Sequence, residues 1–233
     1  MIYITGDTHN SGITRIFPEN WALASDLSRD DIVIVVGDFG VIWNNIPSEK
    51  EEKFIARLDE MPYTFAFVDG NHENFDRINN YPEEKWMRGN IHRISNNVIH
   101  LMRGQIYDIL CEGETKRVFV MGGAISVDRH QRHIGIDWWE QENPSYMEIN
   151  EAFDNLDEVD NKVDYVLTHD CPAKVIPMID PTYSIDSVEM LLEEIDNRIE
   201  YKKWFFGHHH LNAEYGVDKE YRMLLDDIVR IDS

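Results

Sequence analysis

Apolar runs in this chain keep ending the same way, on a small residue followed at once by aspartate, asparagine or histidine. Thr64-Phe65-Ala66-Phe67-Val68-Asp69 leads into Gly70-Asn71-His72-Glu73. Ile2-Tyr3-Ile4-Thr5 leads into Gly6-Asp7-Thr8-His9, and Ile32-Val33-Ile34-Val35-Val36 into Gly37-Asp38-Phe39-Gly40. Val163-Asp164-Tyr165-Val166-Leu167 ends in Thr168-His169-Asp170, and Trp204-Phe205-Phe206 in Gly207-His208-His209-His210. Short continuous runs of this kind read as buried strands of an α/β sheet, and binding groups sit just past the carboxyl ends of such strands. Gly70 permits the sharp turn there. One Gly-Asp or Gly-His pair is usually only a turn. Five of them, each directly after an apolar strand, point to one shared site.

Between these strands the chain reads as follows. Glu19 to Ser28 is expected to be a helix, with Trp21, Ala24 and Leu27 on one face. Ser48 caps a second helix carrying Phe54, Ile55, Leu58 and Met61, with Glu51 as capping-box partner and Pro62 as its stop. The runs 91–94, 98–101 and 105–110, separated by Asn96-Asn97 and Gly104, suggest antiparallel strands. Val118 to Met121 leads to Gly122-Gly123-Ala124, and 126–139 reads as a loop over the site. Ile149, Ala152, Phe153, Leu156 and Val159 mark a third helix. Val188, Leu191, Leu192, Ile195 and Ile199 mark a fourth, capped by Asp186 or Ser187. The tail from 213 to 231 alternates as a closing hairpin would. With no repeat or linker, one domain over residues 1–233 is expected.

Composition narrows what the shared site serves. The chain has 44 acidic and 22 basic residues and a formal net charge of −22. That field disfavours long nucleic acids and anionic membranes, which are bound through Lys and Arg. Cys111 and Cys171 are too few for a disulfide framework, and the opening Met1-Ile2-Tyr3-Ile4 enters a strand without a basic-then-apolar leader. No apolar run approaches the ~20 residues needed to span a bilayer. A cytoplasmic protein is expected, of undetermined oligomeric state.

Carboxylates, imidazoles and one amide without a thiolate suit Mn, Fe or Zn. Asp7, His9, Asp38, Asn71, His169, His208 and His210 are too many donors for one ion but suit two sharing a carboxylate. Two ions ~3.5–4 Å apart form the clamp used for in-line displacement at phosphorus. As a set and in this order, the five blocks resemble the calcineurin-like metallophosphoesterase superfamily. The resemblance implies an α/β, four-layer sandwich of two mixed β-sheets flanked by helices. It also implies that Asp7, His9 and His210 hold one metal, that Asn71, His169 and His208 hold the other, and that Asp38 bridges them. His209 points the other way and is not expected to be a ligand. A hydroxide bridging the ions would attack phosphorus, while His72, not a ligand, would protonate the leaving oxygen.

One departure stands out against the protein phosphatase branch, whose second block continues to Asp-Arg-Gly. Those positions here are Val41, Ile42 and Trp43, which neither orient a histidine nor bind phosphate. Arg129 and Arg132, in a basic stretch of an acidic chain, are the candidate phosphate clamp, or else pair with surface acids. Glu73 and Asp76 are expected to support the turn. Asp137-Trp138-Trp139 could form a dimer contact, a cap on the core or a base-stacking surface. The expected activity is metal-dependent hydrolysis of a small phosphodiester or nucleotide. Phosphomonoester hydrolysis, cleavage of short strands and a non-catalytic metal-binding scaffold are the alternatives.

Overall fold

Side chains alternate along each buried strand between two apolar layers, and that alternation sets the architecture. Ile4, Ile34, Ala66 and Val68 share a core with Val120, Leu167 and Phe205 of a second sheet. Their neighbours Tyr3, Val33, Val35, Phe65 and Phe67 face the other way, toward Ile16, Leu58 and Met61. On the opposite outer face Phe119, Val166, Trp204 and Phe206 pack with Leu156, Leu192 and Ile195. The layers are therefore helix, sheet, sheet, helix, as expected, in a computed structural model that describes residues 1–216 and 219–233.

The strands are β1 (Ile2–Thr5), β2 (Ile32–Val36), β3 (Thr64–Val68), β4 (Glu83–Trp86), β5 (Gly89–Arg93), β6 (Val98–Leu101) and β7 (Ile106–Cys111). They continue with β8 (Glu114–Met121), β9 (Tyr165–Thr168), β10 (Lys203–Phe206), β11 (Ala213–Gly216), β12 (Glu220–Met223) and β13 (Ile228–Arg230). One sheet has the order β13-β1-β2-β3-β6-β5-β4, the other β11-β12-β10-β9-β8-β7. In the first, β1, β2 and β3 run parallel. In the second, β8, β9 and β10 do. Parallel neighbours place their carboxyl ends on one edge, so the polar turns of each sheet are gathered together.

The helices are α1 (Glu49–Asp59), α2 (Phe75–Ile78), α3 (Tyr146–Asp157), α4 (Ile176–Ile179) and α5 (Ser187–Arg198). Ser145 and Asp186 close capping boxes on α3 and α5. Ser48 caps α1, but Glu51 turns away from the cap to pair with Arg77. No helix among the described residues is long and apolar enough to cross a membrane.

Two expectations need correction, and two strands, β7 and β4, take places that no local pattern marks. The segment 19–28 contains only a 3₁₀ turn, Ala22–Asp26, because no side chain caps it and Ala24 is its one buried residue. The runs 91–94, 98–101 and 105–110 do form antiparallel strands, but β5 pairs with β6 while β7 joins the other sheet, antiparallel to β8. Exposed β4, with no apolar alternation to announce it, forms an edge of the first sheet. Finally, β11 and β12 make the hairpin, but β13 crosses over to pair with β1.

A buried histidine pair lies across β5 and β6. The rings of His92 and His100 stack 7° from parallel, and their Nδ1 atoms are 3.0 Å apart. Burial, with His100 beside it, pushes His92 down to about 4. The unfolded chain, with a histidine pKa of about 6.5, takes up that proton first. The neutral ring's stability is thus full above pH 6.5 and lost as pH falls toward 4. Urea titrations from pH 7 to 4 should show His92→Gln losing less stability than the parent; equal losses would refute this.

Candidate metal centre

The five polar turns meet at one mouth between the sheets. From the β1 turn, Asp7 is buried, and its Oδ1 accepts the His208 backbone N–H at 3.1 Å. Asp38 lies beside it in the β2 turn, with Oδ2 3.6 Å from His9 Nε2 and Oδ1 3.3 Å from His169 Nε2. Asn71, from the β3 turn, places Oδ1 3.2 Å from His169 Nε2. His169 Nδ1 is 3.0 Å from the Val36 carbonyl, so that nitrogen donates and Nε2 is left to face Asn71 and Asp38. The β10 turn brings in His208, whose ring centroid is 5.0 Å from that of His169. The same turn sets His210 Nε2 2.9 Å from His9 Nε2.

Backbone conformation here is unusual and costly. His9, Asp38, His208 and His210 all have φ between 41° and 67°, where a side-chain-bearing residue is disfavoured. Space is equally tight, since a Cβ on Gly37 would stand in the His169 ring and one on Gly70 in the Asp38 carboxylate. Gly37 and Gly70 are there because these side chains approach so closely. Glu73, wholly buried, accepts from Phe39 N at 2.7 Å and from Gly40 N at 3.4 Å, tying the β3 turn to the β2 turn.

The electrostatics call for a cation. Burial pushes the Asp7 carboxyl up, opposed by His169 and helped by Asp38. Burial also opposes ionisation of Asp38, yet the neighbouring histidines, His169 foremost, hold it well below the usual carboxylate range. His169 is buried too, but Asp38 and Asp7 outweigh that and lift it to about 10. Asp7 Oδ2 is buried without a hydrogen-bond partner among the described residues. Donor atoms of Asp7, His9, Asp38 and His210 lie within 4.8 Å of one another. An orphaned buried carboxylate oxygen among imidazole nitrogens fits a divalent ion of borderline hardness.

His72 stands beside this cluster, its ring centroid 5.1 Å from that of His9. Its backbone N–H donates to Asp38 Oδ1 at 2.8 Å. Val41 and Ile42 are buried in the core. What bounds the His72 ring is Trp43, stacked on it at 5.6 Å and 29°. Trp43 meets Trp139 edge-on at 5.4 Å, and Trp139 is buried and donates from Nε1 to Asp76 at 3.0 Å. Trp139 therefore backs Trp43, tied to the β3 turn region through Asp76. Burial lowers the His72 pKa, Asp38 opposing.

A cavity of about 650 Å³ opens over the cluster, lined by His72, Ser126, Asp128, Arg132, Tyr183 and Glu189 among others. Arg132 reaches it, its Nε 2.7 Å from Asp128. Arg129 is exposed and does not line it. The 126–139 loop does overhang the site, as expected. His209 turns away, its Nε2 3.1 Å from Asp170 Oδ1 and its ring stacked on Tyr183. The sequence reading missed Trp43, Ser126 and Glu142 as neighbours of the site. Only Ser126 carried a signal, following the Gly122-Gly123 end of β8.

The sequence model of the calcineurin-like phosphoesterase family matches residues 1–212. A phosphopantetheinyl hydrolase from Mycobacterium tuberculosis has a similar solved structure, at 13% identity and a TM-score of 0.49. That similarity covers 97% of this chain and 89% of the other. No curated protein matches. The five turns that form the mouth all fall inside the matched residues, and the chain belongs to the calcineurin-like phosphoesterase family of metal-dependent phosphoesterases.

Proposed function

We propose that the chain, working as one domain over residues 1–233, hydrolyses a small phosphodiester or nucleotide with the help of two divalent ions, manganese, iron or zinc. Asp38 carries the reading, because its two oxygens face opposite sides of the cluster, one toward His9 and one toward His169. Asp7, His9, Asp38 and His210 hold one ion, and Asp38, Asn71, His169 and His208 the other. Bound there, the ions supply Lewis acidity, acidifying water and neutralising phosphoryl charge.

The chain's own groups do the rest. The Val36 carbonyl fixes the His169 tautomer, and the His208 N–H orients Asp7. His72, beside the cluster and facing the cavity, gives a proton to the leaving oxygen. Trp43 holds the His72 ring by stacking where the phosphatase branch uses a carboxylate. Arg132, at the cavity wall, receives a phosphoryl oxygen by exchanging its Asp128 contact.

Size and charge narrow the substrate. A cavity of about 650 Å³ suits a small molecule. A long polyanion would meet Asp128, Asp186 and Glu189 in that wall, on a chain of net charge −22. Both cysteines are free and buried, which accords with a cytoplasmic setting. Desalted after loading with Mn²⁺, the protein should carry two ions per chain. It should also turn over bis-p-nitrophenyl phosphate faster than p-nitrophenyl phosphate. A preference for the monoester would move the reading to a phosphomonoesterase; no bound ion and no turnover would sink it.

A further inference from the structure

We infer that Ser126 and Glu142 are positioning residues that fix which end of the Asn71 amide faces the metal centre. The inference rests on Asn71 being a ligand, as proposed above. An asparagine amide is nearly symmetric in shape, yet its oxygen can bind a cation and its NH₂ cannot. Something must therefore decide between the two orientations. Asn71, Ser126 and Glu142 are all buried, at 4%, 2% and 1% exposure, so solvent does not decide it.

The polarity runs along a chain of hydrogen bonds. Glu142 Oε2 accepts the Ser126 backbone N–H at 2.9 Å, and Glu142 Oε1 accepts the Ser126 hydroxyl at 3.0 Å. The hydroxyl has one hydrogen, and the ionised Glu142 carboxylate takes it. Ser126 Oγ then offers only lone pairs to Asn71, whose Nδ2 donates to it at 3.0 Å. With the NH₂ turned outward, Oδ1 points inward, 3.2 Å from His169 Nε2. Ser126 opens the overhanging loop and Glu142 lies just beyond its far end. The strap that brings Asp128 and Arg132 to the cavity is thus pinned at both ends to a ligand of the centre.

Reversing the polarity at constant shape tests this. In Glu142→Gln the amide oxygen keeps the Ser126 N–H and the new NH₂ donates to Ser126 Oγ. The Ser126 hydroxyl then donates to Asn71, drawing Oδ1 outward. Calorimetric Mn²⁺ titration of the full chain should show one of two ions bound about 10–100-fold more weakly, the usual cost of losing such a partner. Ser126→Ala should weaken the same ion, and Ser126→Thr should restore it. The thermal midpoints of the metal-free variants should stay at the parent value, which separates orientation from folding. Wild-type affinity for both ions in Glu142→Gln and Ser126→Ala would overturn the inference, provided Asn71→Ala loses one ion. If Asn71→Ala also binds two ions normally, the ligand assignment itself has failed.

Discussion

His72→Ala should retain both ions and lose about 10²–10⁴-fold in kcat, the range that a positioned acid contributes. The ring lies 5.1 Å from His9 and lines the cavity, while its backbone N–H, which the substitution leaves in place, supports Asp38. Metal content and turnover are therefore separable at this position. The loss should grow with the basicity of the leaving oxygen, being smaller for an aryl ester than for an alkyl ester of the same phosphate. Trp43→Ala is its companion. Removing the stack leaves the imidazole present but free to turn, so kcat should fall by a smaller factor with KM little changed. Near-parental rates for His72→Ala on both ester types, with metal content intact, would remove His72 from the mechanism.

Asp69→Ala should destabilise the fold by about 3–5 kcal/mol in urea unfolding, because it strands a buried cation. Asp69 immediately precedes the Gly70-Asn71-His72 turn and is 1% exposed. Its Oδ2 accepts from Arg103 Nε at 2.8 Å and Nη2 at 2.5 Å, and its Oδ1 lies 3.0 Å from His100 Nε2. Its carbonyl accepts the Gly123 N–H at 3.1 Å, joining the ends of β3 and β8. Without the carboxylate, the acids left near Arg103 are Glu148, partly exposed and 3.7 Å away, and the more distant Glu142. A double variant, Asp69→Ala with Arg103→Met, should recover much of the loss by removing the unpaired charge. A cost below about 1 kcal/mol for the single change would mean water reaches Arg103, contrary to its burial.

Several features were legible in the sequence because they are encoded locally. Period-two and continuous apolar runs place β1, β2, β3, β9 and β10, since a strand must bury its faces. The polar residues that end those strands identify Asp7, His9, Asp38, Asn71, His72, His169, His208 and His210 as one cluster, because parallel strands deliver their carboxyl ends to one edge. Capping chemistry similarly marks α1 and α5, and apolar periodicity marks α3. The family membership follows from the same blocks.

What only the tertiary structure decided lies in contacts between distant segments. Trp43 is a bulky residue in a loop until its ring is seen against His72 and Trp139. Ser126 and Glu142 are ordinary polar residues until folding sets both behind Asn71. Arg132, the extended residue that ends the 3₁₀ turn Arg129–Gln131, reaches the cavity, and Arg129 within the turn does not. The exposed edge strand β4 and the crossing of β13 to β1 also escaped, because register with a partner strand defines them. Local sequence sets the periodicity that buries a strand. Which side chain meets which across tens or hundreds of residues is decided by how the sheets pack.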